Sequence, residues 1–344
     1  MSTVALLKEL EADKIELWVD GDRLRYRAAR GAMTPERLSK LKEKKNEIIA
    51  RLRAAETQTM PLSAGQEAFW VLHRLAPASA AYHIAFAVRL VGPLQPAHLS
   101  GALARLVARH PALRTVVGER DGKPTQWLPP DLPLDFAIVD CAPAVSPEEM
   151  HRRLRVAYEE PFAFNGKTSL FRARLFIESH DSAVLLLCVH HIIHDAWSLW
   201  LLLEELRELY LAEATGLEPR LAAAPATYRA YVEAEKSYLA SPVGDADLAY
   251  WRQTLAGPLP VLQFPVDKAY PKRRRYVGDS VPMRLSLAET AALRQMAKEQ
   301  GVSLYLTLLC GYLLLLHRYS GQNDVLVGAP MSLRDDPRFN ATVG

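Results

Sequence analysis

"LLLCVHHIIHDAWSLWLL", residues 185–202, places three histidines and an aspartate where one apolar run ends and another begins. The first run, within "AVLLLCV", is short, branched and continuous, the pattern of a buried strand. The second, "DAWSLWLLLEELRELYLAEA", repeats its apolar residues at helical spacing and predicts a long helix starting at Asp195 or Ser198. The histidines therefore sit at a strand-to-helix junction. Adjacent strand residues point to opposite faces, so His190 and His191 cannot do the same job. One faces a cleft and the other the packing beneath it.

Three chemistries compete for these histidines. His190 and His194 are four apart, as in helical zinc sites. That spacing converges on one ion only inside a single helix, and here it straddles a strand end and a turn. No glutamate stands in the general-base position, so no metal site is expected. A core reading has one histidine buried and hydrogen-bonded and the others exposed. The position favours the third reading: side chains at the end of a buried strand are held rigidly at a cleft edge, and a neutral imidazole there can accept a proton near pH 7.

The rest of the chain limits the setting. With 344 residues, two or three units are expected; 49% hydrophobic and 24% charged residues describe a globular protein. A net charge of +3 is too small for nucleic acid without a concentrated basic face, and the run Lys272 to Arg275 lacks the interleaved aromatics that stack on bases. No uninterrupted apolar stretch is long enough for a membrane span, and the amino terminus "MSTVALLKELEADKIE" lacks the apolar core of a secretion signal. Cys141, Cys188 and Cys310 lie far apart, and Cys188 reads as a small buried side chain. A cytoplasmic location is the expectation.

Residues 1–55 form a small unit carrying 13 Lys and Arg against 9 Asp and Glu, a local +4. "VALLKELEA" has helical spacing at Val4, Leu6, Leu7 and Leu10. "KIELWVD-GD-RLRYRA" alternates around a glycine turn and predicts a hairpin. "MTPERLSKLKEKKNEIIARLRA" is helical, with Thr34 as N-cap, Pro35 at the first position, and Leu38, Leu41, Ile48 and Leu52 on its apolar face. In the hairpin, Ile15, Leu17, Val19, Leu24 and Tyr26 cover the helices. Glu16, Trp18, Arg23, Arg25 and Arg27 point away, and a tryptophan beside an arginine stripe suits a short acidic or aromatic peptide. A plain solvated face is the competing reading. Residues 56–61 read as a linker.

From residue 62 the pattern is mixed: helix at "SAGQEAFWVLHRLA", strand at "YHIAFAVRLVG", helix at "QPAHLSGALARLVARHP", hairpin at "LRTVVGERDGKPTQWL", strand at "LPLDFAIVD", helix at "SPEEMHRRLRVAYEE", and hairpin at "FRARLFIES-HDS-AVLLLCVHH". After the junction helix come two helical stretches within 225–257 and a proline-rich connection. A strand at "SVPMRLS", helices over 287–301 and 303–319, and a strand at "DVLVGAPMS" complete the chain.

"HHIIHDAWS" resembles the HHxxxDG signature of the condensation domains of non-ribosomal peptide synthetases, relatives of the chloramphenicol-acetyltransferase-like acyltransferases. "LSAGQEAFWVLHRLAPASAAYHI", "RHPALRTVV", "AYWRQTLAGPLPVLQFPVD" and "SLYLTLLCGYLLLLHRYSGQNDVLVGAPMSLR" resemble further segments of that family, in family order. Residues 1–55 resemble the TubC-type amino-terminal docking domain, an α-β-β-α-α unit. The resemblance implies an α+β architecture: docking domain 1–55, a complete first lobe of the condensation fold over 62–240, and the start of a second lobe over 241–344, truncated within that lobe.

It also implies amide formation between a donor acyl or peptidyl thioester and an aminoacyl acceptor, both on phosphopantetheine arms of partner carrier proteins, with no cofactor bound directly. His191, second of the motif, is the implied catalytic residue, as a base toward the amine or as a hydrogen-bonding group for the tetrahedral intermediate. His190 supports the packing. Asp195 matches the structural aspartate, with Arg334 as its expected second-lobe partner; Arg114 and Arg172 are weaker structural candidates, and His194 is a bystander. Trp18, Arg23, Arg25 and Arg27 would receive the carboxy-terminal tail of an upstream synthase, and a homodimer through the docking unit stays open. The departure is Ala196, where the family has glycine: a methyl there could narrow the channel or strain a backbone that needs positive φ. It and the truncation motivate a rival reading, an inactive condensation-like recruitment module; a stand-alone acyltransferase using a soluble thioester is a third, against which the docking-like unit argues.

Overall fold

The computed structural model describes residues 3–13, 15–20, 23–29, 32–50, 59–142, 144–222, 226–269, 271, 278–279, 281–331, 334 and 336–344. They cluster into two compact units, Met1–Glu235 with Arg338–Gly344, and Lys236–Pro337.

The amino-terminal part of the first unit runs α1 (Thr3–Ala12), β1 (Glu16–Asp20), β2 (Arg23–Arg27), α2 (Pro35–Glu43) and a helical stretch α3 over 45–50. Leu6 and Leu10, one helical turn apart, bury against Ile15, Leu41 and Ile48. Thr34 caps α2 by accepting from the Arg37 amide at 3.3 Å. The Arg37 guanidinium donates to Glu9 at 3.3 Å, to Asp13 and to the Ala32 carbonyl at 2.8 Å, which fastens α2 to the end of α1. A turn at Lys44 separates α2 from α3 without any glycine or proline to announce it, and it keeps both Leu41 and Ile48 in the core. Leu52 and most of the expected linker lie outside the described residues.

The hairpin register pairs Leu17 with Tyr26 and Val19 with Leu24 on one face, and Glu16 with Arg27, Trp18 with Arg25 and Asp20 with Arg23 on the other. Leu24 packs on the helices as expected, whereas Tyr26 keeps 45% of its surface exposed. A phenol can lean its ring on apolar neighbours and still leave its hydroxyl in water.

Around the histidine junction lies a four-stranded sheet of order β4–β9–β8–β7, with β4 (His83–Val91), β7 (Phe136–Asp140), β8 (Phe171–Ser179) and β9 (Ser182–His190). Only β7 and β8 run parallel. A second sheet orders β3 (Met60–Pro61), β6 (Lys123–Trp127) and β5 (Val116–Arg120) as β3–β6–β5. The β5–β6 turn is Asp121-Gly122 with φ of +50° and +71°, the pattern that a two-residue hairpin of this twist requires.

Strand β9 is buried from Ala183 to His190 because both faces are covered. Leu185 and Leu187 join the core beneath α5 (Pro96–Arg109) and α7 (Ala196–Thr215), with Leu99, Leu103, Leu106, Leu202 and Leu206. Val184 and Leu186 face the other way, onto Phe176, Cys141 and Met150 of α6 (Pro147–Glu159). Cys188 is fully buried, and burial pushes its thiol up to about 11. Helix α4 (Ala64–Leu75) opens on a capping box between Ser63 and Gln66.

Helix α8 (Tyr228–Leu239) leads into the second unit, which carries α9 (Pro242–Thr254), α10 (Leu287–Glu299) and α11 (Leu304–Ser320). The strands expected at "SVPMRLS" and "DVLVGAPMS" are not formed among the described residues. Alternation is only a prior; a strand needs a hydrogen-bonded neighbour, and Val281 and Met283 stand exposed at 94% and 82%. The basic run Lys272 to Arg275 lies outside the described residues. Among them, no single helix is long and apolar enough to cross a membrane.

Candidate active site

The last residue of β9 and the first residues after it meet different surroundings. His190 faces His83 across the β4–β9 ladder and is only 3% exposed. Its Nδ1 accepts from the Ile192 amide at 3.0 Å, so the ring carries its proton on Nε2 when neutral. Phe164 stands edge-on at 4.7 Å between ring centroids, with His83 at 5.8 Å, Phe162 at 6.3 Å, and Phe69 and His73 at 6.4 Å. Burial in this aromatic cage, then the neighbouring imidazoles, depress the His190 pKa to about 3. Burial likewise lowers His73 and His83, and His83 is oriented by a 2.6 Å contact between Nδ1 and the Tyr158 carbonyl.

His191 begins the turn of residues 191–193 and is half-buried. Its amide donates to the Tyr82 carbonyl at 2.8 Å. Its ring stacks on Phe69 with centroids 4.9 Å apart and planes 22° apart, which fixes the plane of the imidazole. One histidine is thus sunk into the packing and its neighbour, the first residue of the turn, lies at the surface of that packing.

His194 is 1% exposed, so the expected bystander is a core residue. Asp195 caps α7: its Oδ1 accepts from the Ser198 amide at 2.7 Å and from the Ser198 hydroxyl at 2.6 Å. Arg334, its expected partner, lies in the second unit. Ala196 is the first residue of α7 and exposed. Asp121 is the one non-glycine residue with positive φ among those described, so the backbone at position 196 needs no positive φ.

The two weaker arginines are structural. Arg172, 3% exposed, ion-pairs with Asp135 at 3.3 Å and Glu160 at 3.4 Å, and its guanidinium lies 4.6 Å from the Phe162 ring centre. Arg114 donates to the Val107 and Ala108 carbonyls at 3.1 and 3.4 Å, satisfying the end of α5. In the hairpin, the side chains of Arg25 and Arg27 are exposed, and those of Trp18 and Arg23 lie outside the described residues.

Sequence reasoning passed over His73 and His83 of the cage and the buried amides Gln66 and Gln126. One signal was available: Gln66, Phe69 and His73 recur at helical spacing on α4, a stripe whose members reach the junction. Among the described residues, no three His, Cys, Asp or Glu side chains come together to hold a metal ion.

A family model described as Condensation domain matches residues 56–344, and one described as TubC N-terminal docking domain matches residues 4–53. A linear gramicidin synthase subunit of Brevibacillus parabrevis is 34% identical over 290 residues, covering 83% of this chain and 4% of that protein. Surfactin synthase subunit 1 of Bacillus subtilis (strain 168) is 32% identical over 296 residues, 86% of this chain and 8% of that protein. The chain thus spans less than a tenth of these two relatives. A solved four-domain nonribosomal peptide synthetase bound to AMP and glycine superposes with a TM-score of 0.74 at 20% identity, over 83% of this chain and 21% of that one, which shows the shared fold. With the histidine junction, the two-sided sheet and both family matches in agreement, the chain belongs to the condensation-domain family of nonribosomal peptide synthetases and carries a TubC N-terminal docking domain ahead of it.

Proposed function

We propose that this chain serves peptide-bond formation between two carrier-borne thioesters, with His191 as the working residue. The acceptor amine attacks the donor thioester carbonyl; the C–N bond forms, the C–S bond breaks, and the amine proton ends on the departing sulfur. A thioester is already activated, so the site has to align two phosphopantetheine arms and manage that proton, and alignment alone supplies up to about 7–11 kcal/mol in such reactions. The supporting observation is the setting of His191, half-buried with its ring plane held against Phe69 beside a cage that buries His190. Taking the amine proton and hydrogen-bonding the tetrahedral intermediate both require an imidazole fixed in this way. Asp195 and Ser198 hold the start of α7, and Arg334 is the proposed second-lobe partner of that aspartate. His191→Ala in the full synthetase should lower product formation from loaded carriers by about 10²–10⁴-fold; undiminished product refutes the assignment.

The hairpin face of Trp18, Arg23, Arg25 and Arg27 is proposed to bind the acidic carboxy-terminal tail of an upstream synthase, with the register placing Trp18 opposite Arg25. Arg25→Glu with Arg27→Glu should weaken the tail peptide by about tenfold in calorimetry, and added salt should weaken the wild type. Equal affinity of variant and wild type removes the arginines from the interface.

A further inference from the structure

The geometry points to Gln66 as the positioning residue of the His191 turn, an inference that rests on reading His191 as the working group. Gln66 is 3% exposed in the first turn of α4, and every hydrogen-bonding site of its amide is used. Nε2 donates to the Ile192 carbonyl at 2.8 Å and to Gln126 Oε1 at 3.0 Å. Oε1 accepts from Gln126 Nε2 at 2.6 Å and from the Ser63 amide at 2.9 Å. Gln126 is fully buried on β6 and spends its other proton on the Pro61 carbonyl at 3.0 Å. The two amides form a closed reciprocal pair, and its orientation is forced: Ser63 N–H needs an acceptor and Ile192 C=O needs a donor.

The contact on Ile192 separates positioning from plain stability. Ile192 follows His191 directly. Its amide is held by His190 Nδ1 at 3.0 Å and its carbonyl by Gln66, so both polar ends of one residue are fixed. The His191 amide is held by the Tyr82 carbonyl at 2.8 Å. Two distant pieces of chain, at Gln66 and Tyr82, thus grip the turn together with the adjoining His190. Helix α4 contributes twice, because Phe69, one turn beyond Gln66, carries the stacked His191 ring. A shift of α4 would move the ring support and the backbone clamp together. Gln126, itself bonded to the Pro61 carbonyl, fills the other sites of the Gln66 amide and leaves its second donor for Ile192.

Gln66→Met removes the clamp at equal side-chain length, and Gln126→Met removes the amide pair while leaving the Gln66–Ile192 bond to form. In the synthetase, kcat for peptide formation should fall about 100-fold in Gln66→Met with KM for the loaded carriers within about twofold, the scale of an ångström of misplacement. Gln126→Met should lose less than about fivefold. Histidine ¹³Cε1–¹H spectra of the chain should show the His191 signal displaced in Gln66→Met and unmoved in Gln126→Met. If Gln66→Met does not fold, Gln66→Glu keeps the acceptor for Ser63 and for Gln126 Nε2 and removes the N–H donors to Ile192 and to Gln126 Oε1, and the same two readouts apply. An unmoved His191 signal in a folded Gln66 variant overturns the inference, as does equal loss in both variants. A displaced signal with unchanged kcat instead refutes the reading of His191 on which the inference rests.

Discussion

Acidification from pH 7 to pH 4.5 sets the basicity of His190 against its burial. In the unfolded chain the imidazole takes up a proton near its ordinary value of about 6.5. In the folded protein the aromatic cage holds that value down to about 3. A base with a depressed folded pKa favours the fold while it stays neutral. Its contribution is full above about pH 6.5, falls as pH drops toward 3, and is flat below. At pH 4.5, two units below the unfolded midpoint and still above the folded one, the loss is about 2.5 kcal/mol relative to pH 7 at about 1.4 kcal/mol per unit. Other groups titrate in the same range, so the comparison must isolate this one. His190→Asn does so: its side-chain oxygen can accept from the Ile192 amide as Nδ1 does at 3.0 Å, and it carries no titrating ring. The packing lost with the ring costs the same at both pH values and cancels. Amide exchange of the β9 segment, corrected for intrinsic rates, reads the opening free energy of this unit directly. Between pH 7 and 4.5 the wild type should lose about 2.5 kcal/mol more than His190→Asn. A difference below about 0.5 kcal/mol would mean that His190 charges freely in the folded state, and the cage argument fails.

Two further substitutions probe the backbone. Ala196→Gly restores the family residue at an exposed first helical position; thermal unfolding should show a loss of about 0.5 kcal/mol, and turnover should stay within about twofold, so a tenfold change would mean the methyl blocks the channel. Gly166→Ala meets a φ of +72° and a Cβ position 2.1 Å from the Trp127 ring. Left-handed strain of about 1–2 kcal/mol plus displacement of the indole at about 1–3 kcal/mol should destabilise the unit and shift its tryptophan emission, and near-neutral stability would show that the ring gives way freely.

What could be read in advance follows the range of the interaction. The strand, the turn and α7 were legible because each is announced within a few residues: the apolar run of β9, the capping aspartate, the periodic leucines. That His190 and His191 meet different surroundings was legible from their adjacency at a strand end. The strands expected near 281 and 324 rested on the same kind of pattern, but pairing is a property of two segments, and no partner closes on them among the described residues. Gln66 shows both sides of this limit. Its bond to Ser63 spans three residues and is written in the capping-box spacing, whereas its bonds to Gln126 and Ile192 span 60 and 126 residues and leave no local mark. A buried amide with one local partner has unfilled donors and acceptors, and in a packed interior they must be filled from elsewhere. A buried glutamine at capping-box spacing is therefore a physical signal that a distant segment is being held, and here the segment it holds is the one carrying His191.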